Sequence, residues 1–215
     1  MKSVLIIGLG SFGLTLGRDL VKRGNEVAVI DTNEERINKA REFVDKALIA
    51  DGTRREVLKE LRVEEFDVVV VNLGDRIDAS VLAALHLREL NAREIVVKAV
   101  SSDHETILKM IGVDQVVFPE RDMALRLSYI LSSANVMDQF LLASDYSIVE
   151  LAAPPALVGK SLQELDLRNR YGVQVVIIKQ TVPEGLVFPS GDFVIKDSDV
   201  LVVMGKEEDL KRLQV

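Results

Sequence analysis

Near its start the chain reads Gly8-Leu9-Gly10-Ser11-Phe12-Gly13, three glycines in GxGxxG spacing. Residues of this type act by leaving room. Gly8 permits a tight turn. Gly10 has no side chain to keep a phosphate oxygen off the backbone. Gly13 lets the following helix pack close to the preceding strand. The first turn of that helix offers unpaired N–H groups and the positive end of its dipole to an anion. Asp31 stands 18 positions after Gly13, at the end of the next apolar run. A carboxylate there accepts hydrogen bonds from ribose hydroxyls and repels a 2′-phosphate. The motif, taken with its strand, helix and acidic residue, predicts a nucleotide site holding Gly8, Gly10, Ser11, Phe12, Gly13 and Asp31.

Two further clusters, Asp51-Gly52-Thr53 and Asn72-Leu73-Gly74, follow the third and fourth apolar runs. Ligands of open α/β sheets bind outside the carboxyl ends of the strands. That places both clusters beside an adenine and ribose, with ordinary turn chemistry as the alternative. Lys98 ends the fifth run on the same edge, either paired with a phosphate or solvated. Hydride-transfer chemistry would need an acid or base as well, and candidates are scarce. His86 lies mid-helix, and His104, in a first helical turn, is expected at the surface. Tyr129, Tyr146 and Tyr171 are not followed by Lys at the Tyr-x-x-x-Lys spacing. The chain therefore reads as a nucleotide sensor and not an enzyme. The competing reading is an NAD-dependent oxidoreductase with a small dimerisation lobe.

These residues must be positioned by the elements around them. Short β-branched runs at 4–7, 27–30, 47–50, 68–71, 95–97 and 116–118 alternate with helical patterns at 12–23, 34–42, 54–61, 76–90 and 104–111. Near-continuous hydrophobicity predicts strands buried on both faces, as in a parallel sheet. The fold class is α/β, a Rossmann-like doubly wound parallel sheet over 1–118. Pro119 and Glu120 open a helix over about 121–133, and a second short helix is expected at 136–142. Residues 119–143 then form crossover or hinge helices, unless the pair packs on its own domain. From 144 to 215 the texture changes to a smaller α+β lobe, with strands at 148–151, 173–179, 186–188, 194–195 and 200–204. Two short helices fit there, 161–165 and 207–213.

Composition narrows the function classes. The 215 residues contain no cysteine, which excludes a disulfide scaffold, a thiolate zinc site and a cysteine nucleophile. A net charge of −7 repels phosphate backbones, so nucleic acid is not an expected partner. No apolar run approaches the ~18 residues of a membrane span, and a cytoplasmic location is expected. The 76–90 helix is apolar around much of its circumference. It is either a central core helix or one that buries its second face in a partner.

The stretches VLIIGLGSFG, VAVIDTNEER, ALIADGT, IVVKAV, VVFPERDMA, DYSIVEL, GKSLQELDLRNRYG and VLVVMGKEEDLKRL span nearly the whole chain. In this order they resemble the cytosolic regulatory subunits of Ktr/Trk-type potassium uptake systems, built from an RCK (KTN) domain and a small C-terminal RCK lobe. The resemblance implies dimers assembling into an octameric ring. The ring binds ATP or ADP at the Rossmann edge and gates a membrane potassium-translocating subunit, which holds it at the inner face of the membrane. By position it gives phosphates to Gly8, Gly10 and Gly13, ribose to Asp31, the neighbourhood of the adenosine to Asp51 and phosphate to Lys98. It also implies a divalent cation held by Glu120 at a subunit interface. Relatives with a strong ATP response carry Arg where this chain has Ser11. Serine supplies no charge, so AMP and NAD join the expected ligands. In the C-terminal lobe the resemblance matches Arg168 to a residue binding cyclic di-AMP, with a plain surface arginine as the alternative.

Overall fold

The computed structural model describes residues 1–143 and 145–213. These divide into two compact units at Glu120/Arg121. The first residue expected for the C-terminal lobe, 144, and its last two, 214–215, lie outside the described residues.

In the first unit the chain runs β1 (Ser3–Ile7), α1 (Ser11–Lys22), β2 (Glu26–Asp31), α2 (Glu34–Ala40), β3 (Lys46–Ile49) and α3 (Arg55–Glu60). It continues through β4 (Val68–Val71), α4 (Ile77–Glu89), β5 (Ile95–Lys98), α5 (Ser102–Ile111) and β6 (Gln115–Val117). All six strands are parallel, in the order β3-β2-β1-β4-β5-β6. Successive side chains of β1 point to opposite faces. Leu5 and Ile7 therefore join the core formed with α3, α4 and α5, while Val4 and Ile6 join the one formed with α1 and α2. This is why β1, β2 and β4 read as unbroken apolar runs. Edge strand β3 departs from the expectation of burial on both faces. Leu48 and Ile49 are exposed, because an edge strand is covered from one side only. The chain leaves β3 at the edge and returns beside β1 as β4. That reversal opens a crevice at the carboxyl ends of β1 and β4.

Local chemistry sets the helix starts. The Asn33 side chain accepts from the Arg36 N–H, and the Ser101 side chain from that of His104. Each satisfies an otherwise unpaired donor. His104 is a correction. It is fully buried, and neither ring nitrogen has a hydrogen-bond partner among the described residues. A first-turn position looked solvent-facing, yet its residue points into the core that α5 shares.

Helix α6 (Pro119–Ser132) contains the division between the units. In the second unit follow β7 (Val136–Leu141), β8 (Tyr146–Ala152), α7 (Leu162–Leu165), α8 (Leu167–Tyr171), β9 (Gln174–Thr181), β10 (Glu184–Val187), β11 (Val200–Lys206) and α9 (Glu207–Leu213). The sheet is antiparallel, ordered β10-β9-β11-β8-β7. Its core gathers Val149, Leu151, Ile178, Leu201, Val203 and Leu210. Three expectations are corrected here. The helix expected at 136–142 is strand β7, because the free edge of β8 pairs with it. The strand expected at 194–195 is a single bridge between Ser161 and Val194. A third helix, α8, was not expected.

Candidate functional site

The turn between β1 and α1 is shaped by close approaches. Gly8 has φ +96°, and a Cβ there would lie 2.0 Å from the Asn72 carbonyl oxygen. A Cβ on Gly13 would lie 2.3 Å from the Gly8 oxygen. Only glycine fits either position. A Cβ on Gly10 would meet the Asn72 side chain at an ordinary 3.6 Å, so that position faces open space. Gly10 is also the N-cap of α1 and supplies no side-chain cap, and the first turn has no acidic residue. The leading N–H groups of α1 are left for an anion.

The surrounding loops are tied to this turn. Asn72 is buried. Its backbone N–H donates to the Ile7 carbonyl at 2.7 Å and its side-chain amide to the Gly8 carbonyl at 3.1 Å. Asp31 is 8% exposed. Its carboxylate accepts from the Leu9 N–H at 2.6 Å and the Asn33 N–H at 2.8 Å, with the Arg36 guanidinium 3.6 Å away. Two backbone donors hold the carboxylate at the crevice. Asp51 accepts from the Thr53 N–H at 3.0 Å and its hydroxyl at 2.8 Å. The backbone bond, then the hydroxyl bond, keep this carboxyl below its ordinary range despite partial burial. On the other side of β1, the Lys98 ammonium donates to the Glu120 carboxylate. It also lies 5.9 Å from the centre of the Phe12 ring. That hydrogen bond is the leading cause of a lowered Glu120 pKa.

These groups line one cavity of about 500 Å³. Of the expected residues, Gly8, Gly10, Ser11, Phe12, Asp31, Asp51, Gly52, Asn72, Leu73, Gly74 and Lys98 line it. Gly13 and Thr53 stand behind the wall. Gly13 acts through helix packing. Thr53 acts through Asp51, and its carbonyl accepts from His86 Nδ1 at 3.0 Å, so that nitrogen carries the ring proton. Glu120 touches the site through Lys98. Among the described residues no group of three or more acidic or histidine side chains could hold a metal ion. Arg168 is exposed on α8 in the second unit, beside a depression of about 110 Å³. The lining also holds Thr32, Asn33, Arg36 and Arg76, which sequence reasoning did not single out. Thr32, Asn33 and Arg36 fall just after the motif's acidic residue, which was the available pointer. Arg76 had none.

The opening glycine turn and its acidic partners can hold a nucleotide by its phosphates and ribose. Carboxylates lie on the β2–β3 side and Lys98 on the β5 side. Among the described residues no histidine, tyrosine or cysteine lines the cavity.

Comparison with known proteins gives a consistent picture. The TrkA-N domain model matches residues 4–119 and the TrkA-C domain model residues 146–214. Ktr system potassium uptake protein C of Bacillus subtilis (strain 168) is 39% identical, over 99% of this chain and 96% of that one. Protein A of the same system and strain is 37% identical over the same shares. Among solved structures, the GsuK channel bound to NAD superposes with a TM-score of 0.69 at 23% identity. It matches 99% of this chain, which spans only 38% of that one. Such a likeness speaks for the fold alone.

Proposed function

The chain belongs to the family of potassium uptake proteins with paired TrkA-N and TrkA-C domains, and on that premise we propose that it is a regulatory subunit. Its N-terminal unit binds an adenine nucleotide and thereby sets the activity of a membrane potassium transporter. The observation that carries this reading is the single cavity at the β1–β4 switch point, where the glycine turn, Asp31, Asp51 and Lys98 meet. The nucleotide acts as a signal. A ligand that binds one conformation better shifts the population toward it without being consumed. Two further features fit a signalling role better than catalysis: among the described residues no histidine or tyrosine lines the cavity, and His86 is committed to the Thr53 carbonyl.

A phosphate entering the cavity competes with Glu120 for Lys98. This gives the ligand a route to the first turn of α6, where Glu120 resides. In assembled copies, Glu120 holds a divalent cation beside the phosphates and Arg168 holds cyclic di-AMP. Titrations with and without magnesium, and with cyclic di-AMP against Arg168→Ala, test these two parts separately. The proposed location is the cytoplasmic face, where the transporter partner holds the protein; similarity to the potassium uptake proteins supports it. No helix among the described residues is long and apolar enough to cross a membrane.

The decisive experiment is calorimetric titration with ATP, ADP, AMP and NAD, run beside an assay of NADH oxidation on a panel of carbonyl compounds. Saturable binding without turnover is expected. Turnover of NADH, or indifference to all four nucleotides, overturns the proposal.

A further inference from the structure

Three basic side chains line the cavity, and two are engaged. Arg36 faces the Asp31 carboxylate at 3.6 Å, and Lys98 donates to Glu120. The guanidinium of Arg76 has neither a hydrogen bond nor an ion pair among the described residues. It is exposed, at the N-cap of α4, with φ −81° and ψ 80°, and its side chain caps nothing. The loop that carries it is fixed at its base to the phosphate-binding turn, because Asn72 bonds both Ile7 and Gly8. Gly74, at φ +64°, has open space around it. The cavity thus has a cation without a hydrogen-bond or ion-pair partner among the described residues, on a short loop whose root is the glycine turn itself. Its charge reaches Asp51, where it is a minor cause of that carboxyl's lowered pKa, after the Thr53 hydrogen bonds.

The sheet order gives this cation a direction. Asp31 and Asp51 follow β2 and β3, on one side of β1, whereas Arg76 and Lys98 follow β4 and end β5, on the other. Phosphate negative charge is repelled from the carboxylate side and drawn to the cationic one. A guanidinium is always charged and grips phosphate oxygens in pairs.

We infer that Arg76 reads the phosphates of the bound nucleotide beyond the one seated at the α1 N-terminus, and so sets a preference for di- and triphosphates over the monophosphate. The inference rests on the proposed nucleotide site and adds its selectivity. Arg36 serves the ribose side by orienting Asp31 and has no part in this choice.

The test compares the full chain with Arg76→Gln by calorimetric titration against adenosine, AMP, ADP and ATP. Loss of one charge-assisted contact is expected to weaken ADP and ATP by about tenfold or more, leaving adenosine and AMP within about twofold. Arg76→Lys, which keeps the charge but not the fork, is expected to recover part of the loss. Unchanged adenosine binding also shows that the variant folds. An equal loss for all four ligands would assign Arg76 to the base or to the shape of the loop and overturn the inference. So would ADP and ATP affinities that do not move. If the unsubstituted chain takes up no adenine compound, the nucleotide reading itself fails. Retained binding with unaltered phosphate preference sinks only Arg76.

Discussion

Asp31 has two tasks in one carboxylate. It receives two backbone N–H groups, from Leu9 and Asn33, and it borders the cavity. Asp31→Ala is therefore expected to weaken adenine-nucleotide binding by at least tenfold, about 1.4 kcal/mol. An unchanged dissociation constant in calorimetry would remove Asp31 from the site. His104 presents the opposite case, a titratable group that serves no visible partner. Burial lowers its pKa below the ordinary 6.5. The unfolded chain takes a proton there near pH 6.5, the folded chain only at lower pH, so between the two values the unfolded state binds more protons. The stability linked to neutral His104 is full above the unfolded value and is lost as pH falls through the folded one. His104→Leu removes this dependence and two unsatisfied buried nitrogens. Thermal melts from pH 7 to 5 are expected to show a flatter profile for the variant, with a gain of about 1 kcal/mol or more at the acid end. Parallel profiles for the two proteins would contradict this.

Helix α1 shows how an element delivers a site. Its N-terminus reaches the cavity because Gly13 lets it lie against the Gly8 carbonyl. In Gly13→Ala the added carbon, 2.3 Å from that oxygen, must push helix or turn aside. A stability loss of about 1–3 kcal/mol is expected from such overpacking, with weaker nucleotide binding, measurable by urea denaturation and calorimetry. Equal stability would mean that the helix relaxes freely. The parallel sheet was legible in the sequence because its central strands are buried on both faces and so advertise themselves as unbroken apolar runs. Strand β7 was not. Its buried residues Val136 and Gln139 are three apart, and a register shift between Val136 and Asp138 disrupts the alternation that marks a strand. Helix α8, five residues long, is too short to repeat a helical period of about 3.6 residues. At the site, glycines and the acidic residue were legible because their roles demand those residue types. Arg76 was not, since an arginine at a helix start looks the same whether it faces solvent or a cavity. The enclosing loops decide that.

Each unit leaves apolar surface that its own fold does not cover. On α4, Leu82 and Leu85 are 41% and 43% exposed, and on the neighbouring α5, Ile107 and Met110 are 41% and 83% exposed. Both pairs have i, i+3 spacing, so each forms one face of its helix. Helix α6 buries no residue at all and exposes Met123, Leu125, Leu127 and Leu131. Apolar surface collected on neighbouring helices marks a place for a partner, and family membership makes further copies of this chain the natural one. Net charge works against that association, since every chain contributes −7. Like charges on approaching copies repel, and salt weakens the repulsion over the Debye length of about 8 Å at physiological ionic strength. Light scattering is therefore expected to give a particle several times the monomer mass, whose size holds or grows as salt is raised. An assembly held by ion pairs would come apart under the same treatment. Leu85→Asp with Met110→Asp adds charge to positions already open to water in the single chain, so the fold and nucleotide binding persist while the particle shrinks. A monomer before substitution would refute the association, and an unaltered particle after it would move the contact away from α4 and α5.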